Sequence, residues 1–319
     1  MKVLFFSTLV ALGLSAQQSN TYTKSTVDLN GRAVVEGPQI VENKGPNGAE
    51  ITEKTRSING REVPLERIEE RVLRNDAAGK VTERLTRRFD PTGNRMTPVK
   101  EIIEEQKRPD GGSTIQTTTY EGDLNGRLQI TERSITDVQR GGSSETTDTV
   151  LERPTLNGSM EAVSKETAIR FKQPNGYQES ITTYRKNNSG DFYPAVKISK
   201  EHSESAGQAI DNSAEYEIGA RGELRLHGQK VQKTLKRPDG SEDVQVDIFG
   251  QNVAGRAGSV ESNSLKLQEQ DIIERRRVAP NTVVETLSLR RTSIADSNTL
   301  GPLQEISQTT CRGKCGPEK

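Results

Sequence analysis

The chain has 319 residues and balanced charge, 45 Lys and Arg against 45 Asp and Glu, with 30% hydrophobic residues, 4% aromatic and no Trp. Without a long run of either sign it lacks the basic face of a nucleic-acid binder and the basic amphipathic helix of a membrane-surface protein. Large apolar side chains contribute roughly 1.5–3 kcal/mol each on burial, and so few of them exclude a thick conventional core.

The first sixteen residues read as a secretory signal. Lys2 supplies the positive start, Val3 to Leu14 an apolar run, and Ser15-Ala16 a small residue at the cleavage position. That run is too short to span a bilayer as a helix. The expected division is a signal over 1–16, a repeat array over 17–300 and a tail over 301–319. It implies a secreted, periplasmic or cell-surface protein with no membrane span after removal of the signal.

From Leu29 onward, turn signals recur in two interleaved series. One series contains Asn30-Gly31, Asn59-Gly60, Thr92-Gly93, Asn125-Gly126, Asn157-Gly158, Ser189-Gly190 and Arg221-Gly222. The other contains Asn47-Gly48, Ala78-Gly79, Asp110-Gly111, Gly141-Gly142, Asn175-Gly176, Ala206-Gly207 and Asp239-Gly240. Each advances by about 32 residues, the sign of a tandem repeat. Asn-Gly and Asp-Gly suit tight hairpin turns, because those turns need φ > 0. The segments between turns are rich in Thr, Val and Ile, and several alternate with period two, as Thr114 to Tyr120 and Val244 to Ile248 do.

Two segments carry a helical spacing instead: Leu65, Ile68 and Val72, and then Val99, Ile102 and Ile103. Their counterparts at Leu128 to Thr136 and Ala195 to Lys200 alternate as strands, and equivalent positions in a repeat share one conformation. The expected fold is therefore all-β: tandem two-strand hairpin repeats in an elongated antiparallel meander, single-layer or partly closed. Polar residues on the alternating positions leave at least one face wet. An outer-membrane barrel needs an apolar outer band and aromatic girdles, and charges on most strands argue against one.

Arg108-Pro109-Asp110-Gly111, then Tyr120-Glu121-Gly122-Asp123-Leu124-Asn125-Gly126-Arg127, with Arg88-Phe89-Asp90-Pro91-Thr92-Gly93, resemble the YD-repeat (RHS) pattern, a Tyr-Asp pair followed by a Gly-Arg turn. The resemblance covers two or three of the repeats. It implies a hairpin-built β-shell on an exported protein.

Little in the chain carries chemistry. The two histidines, His202 and His227, belong to no metal spacing, and Ser203 next to His202 lies on the opposite face of a strand. Glu69-Glu70 and Glu104-Glu105 read as solvated charge, and no phosphate-binding glycine motif follows a strand. No catalytic, metal or cofactor site is expected. Tyr177, Tyr184, Phe192, Tyr193 and Tyr216 form the one loose aromatic concentration, a candidate surface for stacking a ligand. In the tail, Cys311 and Cys315 are spaced for a small disulfide loop in an oxidising compartment.

These features together favour a non-catalytic structural or interaction protein presenting an extended polar β-surface, with a protein or glycan partner at the cell surface and no nucleic acid. A carbohydrate- or peptide-binding module is the first alternative. A hydrolase with an unassigned carboxylate pair is the second.

Overall fold

The computed structural model describes residues 20–27, 33–35, 38–45, 48–58, 61–123, 126–251, 265–292 and 299–313. The expected signal at 1–16, the Asn30-Gly31 and Asn59-Gly60 turns, and Cys315 lie outside them.

Among the described residues nineteen strands follow one another in chain order. The first six are β1 (Asn20–Val27), β2 (Ala33–Val34), β3 (Gln39–Lys44), β4 (Glu50–Ile58), β5 (Arg61–Asp76) and β6 (Gly79–Arg88). The next seven are β7 (Val99–Lys107), β8 (Ser113–Gly122), β9 (Leu128–Gly141), β10 (Ser144–Pro154), β11 (Met160–Gln173), β12 (Gly176–Lys186) and β13 (Phe192–Ser205). The last six are β14 (Gln208–Ile218), β15 (Leu224–Lys236), β16 (Glu242–Gly250), β17 (Lys266–Ala279), β18 (Thr282–Arg291) and β19 (Gln304–Arg312). The helical spacings at 65–72 and 99–103 are strand, in β5 and β7. The repeat majority wins there over the local period.

From β3 onward each strand pairs antiparallel with the next in sequence, and β19 pairs back onto β1 from Thr21↔Arg312 to Thr26↔Ser307. The sheet is therefore a closed barrel. β2 and β3 both lie against β1, so the wall has eighteen positions. This corrects the expectation of an elongated sheet, single-layer or partly closed. Closure removes both free edges, which an open polar meander would leave unpaired. The closing strand β19 lies within the segment set apart in the sequence as a tail.

The two turn series become the two rims. Among the described residues, five members of the first series make five-residue turns of one geometry at the upper rim. In each, the first residue donates to the fifth: Asp90 to Asn94 at 2.9 Å, Asp123 to Arg127 at 2.8 Å, Asn187 to Asp191 at 2.9 Å. The glycine at the fourth position takes φ between 74° and 88°, as Gly126 and Gly190 do. The second series makes the lower rim, where several links have only two residues, as at 206–207. There Ala206 and Gly207 both have positive φ, 49° and 80°, as that turn demands.

The register fixes which side chains face inward. Stepping across partners from Tyr22 through Ile40, Lys54 and Glu66 to Arg88 climbs from the lower part of β1 to the upper end of β6. Barrel strands coil right-handed about the axis. The Lys236 N–H donates back to Gly207 of the preceding turn. Given L-chirality, these two facts send the face bearing Tyr22, Ile40, Lys54, Glu66 and Arg88 into the lumen. Their alternates, such as Glu53, Arg67 and Glu69, face outward.

Seven β-bulges recur just below the upper rim, each adding one residue to a descending strand. Thr131, Val163, Ala195 and His227 are the extra residues in four successive repeats, 32 residues apart. On the outer face beside these bulges stand Tyr120, Tyr184, Tyr216 and Phe249. The scarcity of large apolar groups shows directly: among the described residues no large side chain is fully buried, and the core is limited to small ones such as Val244, Val246 and Ala195. Stability comes mainly from the closed backbone ladder, with cross-strand pairs adding roughly 0.2–1 kcal/mol each.

Candidate functional site

The lumen is the site. With sixteen to eighteen strands a barrel is too wide for its side chains to fill and leaves a water-filled interior. Two contrasting stretches of inner wall stand out.

The first is an ionic ladder across β4 to β7. Lys54 bonds Glu66 at 2.7 Å, and Glu66 also meets Arg88 at 3.4 Å. Arg84 lies between Glu70 at 2.5 Å and Glu101 at 3.4 Å. Ile68, Thr52 and Thr86 complete the patch. Most charges in it are answered by a neighbour, with Glu50 beside Glu70 the exception, so the ladder is a hydrated surface with little net field.

The second stretch runs across the closure seam, from β17 through β18, β19 and β1 to β3. Tyr22, Pro38, Ile40, Ile273 and Leu287 surround a groove of about 110 Å³, with Lys24, Glu285, Ser307 and Thr309 supplying polar atoms. Arg275 holds Glu285 at 2.5 Å and Glu242 at 3.0 Å, so the two carboxylates share one guanidinium. None of these residues is a candidate from sequence alone. The groove brings β1 against β17 and β18, about 250–265 residues away in the chain, and only closure makes them neighbours. The sole local sign was the alternation Tyr22-Thr23-Lys24.

The aromatic candidates are not brought together. Tyr177 faces the lumen, stacked on His202 with ring centroids 5.2 Å apart and with Arg170 4.5 Å above it. Tyr184, Phe192 and Tyr216 are on the outer face, where Lys165 lies 4.6 Å over Phe192. Tyr193 stands at the upper rim, 44% exposed. Alternation sends sequence neighbours to opposite faces, so five aromatics within forty residues make no platform. His202 donates from Nδ1 to the Asp211 carboxylate at 2.7 Å, an ordinary lumenal pair. Among the described residues no group of His, Cys, Asp and Glu could hold a metal. Cys311 is held in a disulfide.

The outer wall is polar as well. Arg67–Glu53 at 2.8 Å, Arg87–Glu69 at 3.6 Å, Lys100–Glu83 at 2.6 Å and Arg133–Glu152 at 2.5 Å all face outward. Among the described residues no helix is long and apolar enough to cross a membrane. That leaves a crossing by strands untouched, so the expectation of no membrane span does not carry over to this fold.

No family model matches the chain, and no curated protein matches it in sequence. Solved structures do match in fold. OmpF from Salmonella typhi, in complex with daunomycin, superposes with a TM-score of 0.51 at 7% identity, over 93% of this chain and 96% of that one. CdiB from Acinetobacter baumannii gives a TM-score of 0.40 at 10% identity, over 93% of this chain and 60% of that one. The fold likeness rests on the first of these: the chain is a porin-like closed antiparallel barrel.

That finding overturns two expectations. The YD-repeat (RHS) resemblance does not hold, since Asn-Gly and Asp-Gly turns serve any hairpin, and here they close a porin-like ring. Nor does the protein present an extended polar β-surface, because half of that surface is wrapped inward around a lumen.

Proposed function

We propose that the protein is a porin-like conduit of the cell envelope, whose water-filled lumen admits small polar solutes. The single observation that carries this reading is closure: β19 pairs with β1 and seals eighteen wall positions around a polar interior. A non-enzymatic role accords with that fold. Export through the segment 1–16 and a place at the outer membrane belong to the same reading, supported by the likeness to an outer-membrane barrel. Most lumenal charges along the β4–β7 ladder are paired, so the conduit discriminates weakly between small cations and anions. Refolded protein added to planar bilayers should give discrete conductance steps that scale with bulk salt. A folded, closed barrel that gives no steps would overturn the conduit.

The outer wall favours a second reading at one point. An Arg or Lys on the lipid face costs roughly 2–4 kcal/mol at the bilayer midplane, and Arg67, Arg87, Lys100 and Arg133 all face outward in ion pairs. In this version the barrel stands at the cell surface with its wall in hydrated polymer, and its lumen holds solute without carrying it across hydrocarbon. Carbonate washing of isolated envelopes separates the two: a membrane-spanning barrel stays with the pellet, whereas a surface-standing one is released.

A further inference from the structure

The lumenal groove at the closure seam differs from the rest of the inner wall in two respects. It has an apolar side, with Ile40, Ile273, Leu287 and the ring of Tyr22 around it, whereas the adjoining ladder of β4 to β7 is mainly ionic. It also holds a cation outside any ion pair among the described residues, Lys24, while Glu285 shares Arg275 with Glu242. A cation beside an apolar recess selects a particular chemistry, one negative group joined to one hydrophobic body.

Size narrows the class further. At about 110 Å³ the groove is somewhat smaller than the roughly 150 Å³ cavity known to take up benzene in a protein interior. It therefore suits a single ring, partly embedded, and not a fused-ring or long-chain amphiphile. The hydroxyls of Ser307 and Thr309 line it too, and Ser307 is 4% exposed, so a carboxylate held by Lys24 has hydrogen-bond donors beside it. A neutral polar solute gains nothing from Lys24, and a cation is repelled by it.

We propose that this groove is a binding site for small aromatic carboxylates, with Lys24 taking the carboxylate and Ile40, Ile273 and Leu287 taking the ring. The assignment rests on the lumenal reading of the inner face and names the solute class that the conduit retains. It makes the lumen a selective filter by adsorption, although its overall charge is balanced.

The test uses the refolded full chain and three probes of similar size: benzoate, benzylamine and cyclohexanol. Ligand-observed NMR saturation transfer gives binding without any bilayer. Benzoate should bind saturably, and more tightly than either other probe. Lys24→Gln should weaken it about tenfold, the loss expected of one charge-assisted contact. Leu287→Ser should weaken it as well, with strand content unchanged by circular dichroism. Equal binding of all three probes, no binding of benzoate to the folded chain, or a Lys24→Gln variant with unchanged affinity would each overturn the site. Conductance in bilayers without benzoate binding keeps the conduit and removes the site. Benzoate binding without conductance does the reverse.

Discussion

The carboxylate of Asp90 organises the turn that follows β6. It accepts from the Thr92 hydroxyl at 2.7 Å and from the backbone N–H groups of Thr92 and Asn94, both at 2.9 Å. These bonds, that of the Thr92 hydroxyl foremost, hold its pKa down, from 3.8 to about 2. A carboxyl depressed on folding stabilises the turn fully above the unfolded value, and the contribution disappears as pH falls through the folded one. Protection of the Thr92 and Asn94 amides, taken against the free-peptide exchange rate at each pH, should therefore hold at pH 5 and fall between pH 4 and 2. In another repeat Asn187 does the same work through its amide oxygen, accepting from Ser189 and Asp191 at 2.9 Å. Asp90→Asn should accordingly keep the turn and abolish its acid sensitivity, whereas Asp90→Ala should open it at every pH.

Gly176 answers a different demand. It opens β12 directly after a two-residue turn, and a Cβ there would lie 1.8 Å from the carbonyl oxygen of His202. That oxygen belongs to the neighbouring backbone and has no rotamer by which to yield. Gly176→Ala should cost about 1–3 kcal/mol, the usual range for forced overpacking, seen as a lowered denaturant midpoint with an unchanged slope. An unchanged midpoint would mean that the two strands part more easily than their register suggests. By contrast, nothing lies within 4 Å of a Cβ built on Gly158 or Gly222, and only their positive φ, 79° and 81°, demands glycine.

Among the elements, β19 has the largest effect on architecture for its nine residues. It is bonded on both sides, to β18 and to β1. Truncation after residue 303 leaves two open edges, β18 and β1, on a seventeen-position sheet, and open edges recruit other chains. The truncated protein should migrate as heterogeneous oligomers on size exclusion, while the full chain runs as one species. A truncated chain that remained a single species would show that the seam is dispensable. Strand identity was legible in sequence wherever turn chemistry was explicit, and even β5 and β7, with helical spacing at Leu65, Ile68 and Val72, yielded to comparison among repeats. Closure was not legible. The partners Thr21 and Arg312 lie at opposite ends of the sequence, and neither carries any mark that a lone edge residue would lack. The candidate site failed for the same reason. Lys24, Ile40, Ile273 and Leu287 converge only once the ring is sealed, while the aromatics from Tyr177 to Tyr216 looked clustered in sequence and were divided by strand alternation.

At the scale of the molecule, the two interleaved turn series are the upper and lower rims of one cylinder. The recurring bulge makes each turn-to-turn segment a nearly interchangeable stave: Thr131, Val163, Ala195 and His227 occupy the same place in four of them. Neighbouring staves meet through the same kind of backbone ladder whatever their number. Excision of residues 160–191, one whole stave comprising β11 and β12, should still yield a sealed ring. It would lack two wall positions and be narrower by roughly 3–4 Å in diameter at strand spacings near 4.8 Å. Small-angle scattering would read the contraction, and aggregation of the excised chain would show that the staves are not interchangeable. The barrel's bore is then a matter of counting: each stave added or removed widens or narrows it by a fixed increment.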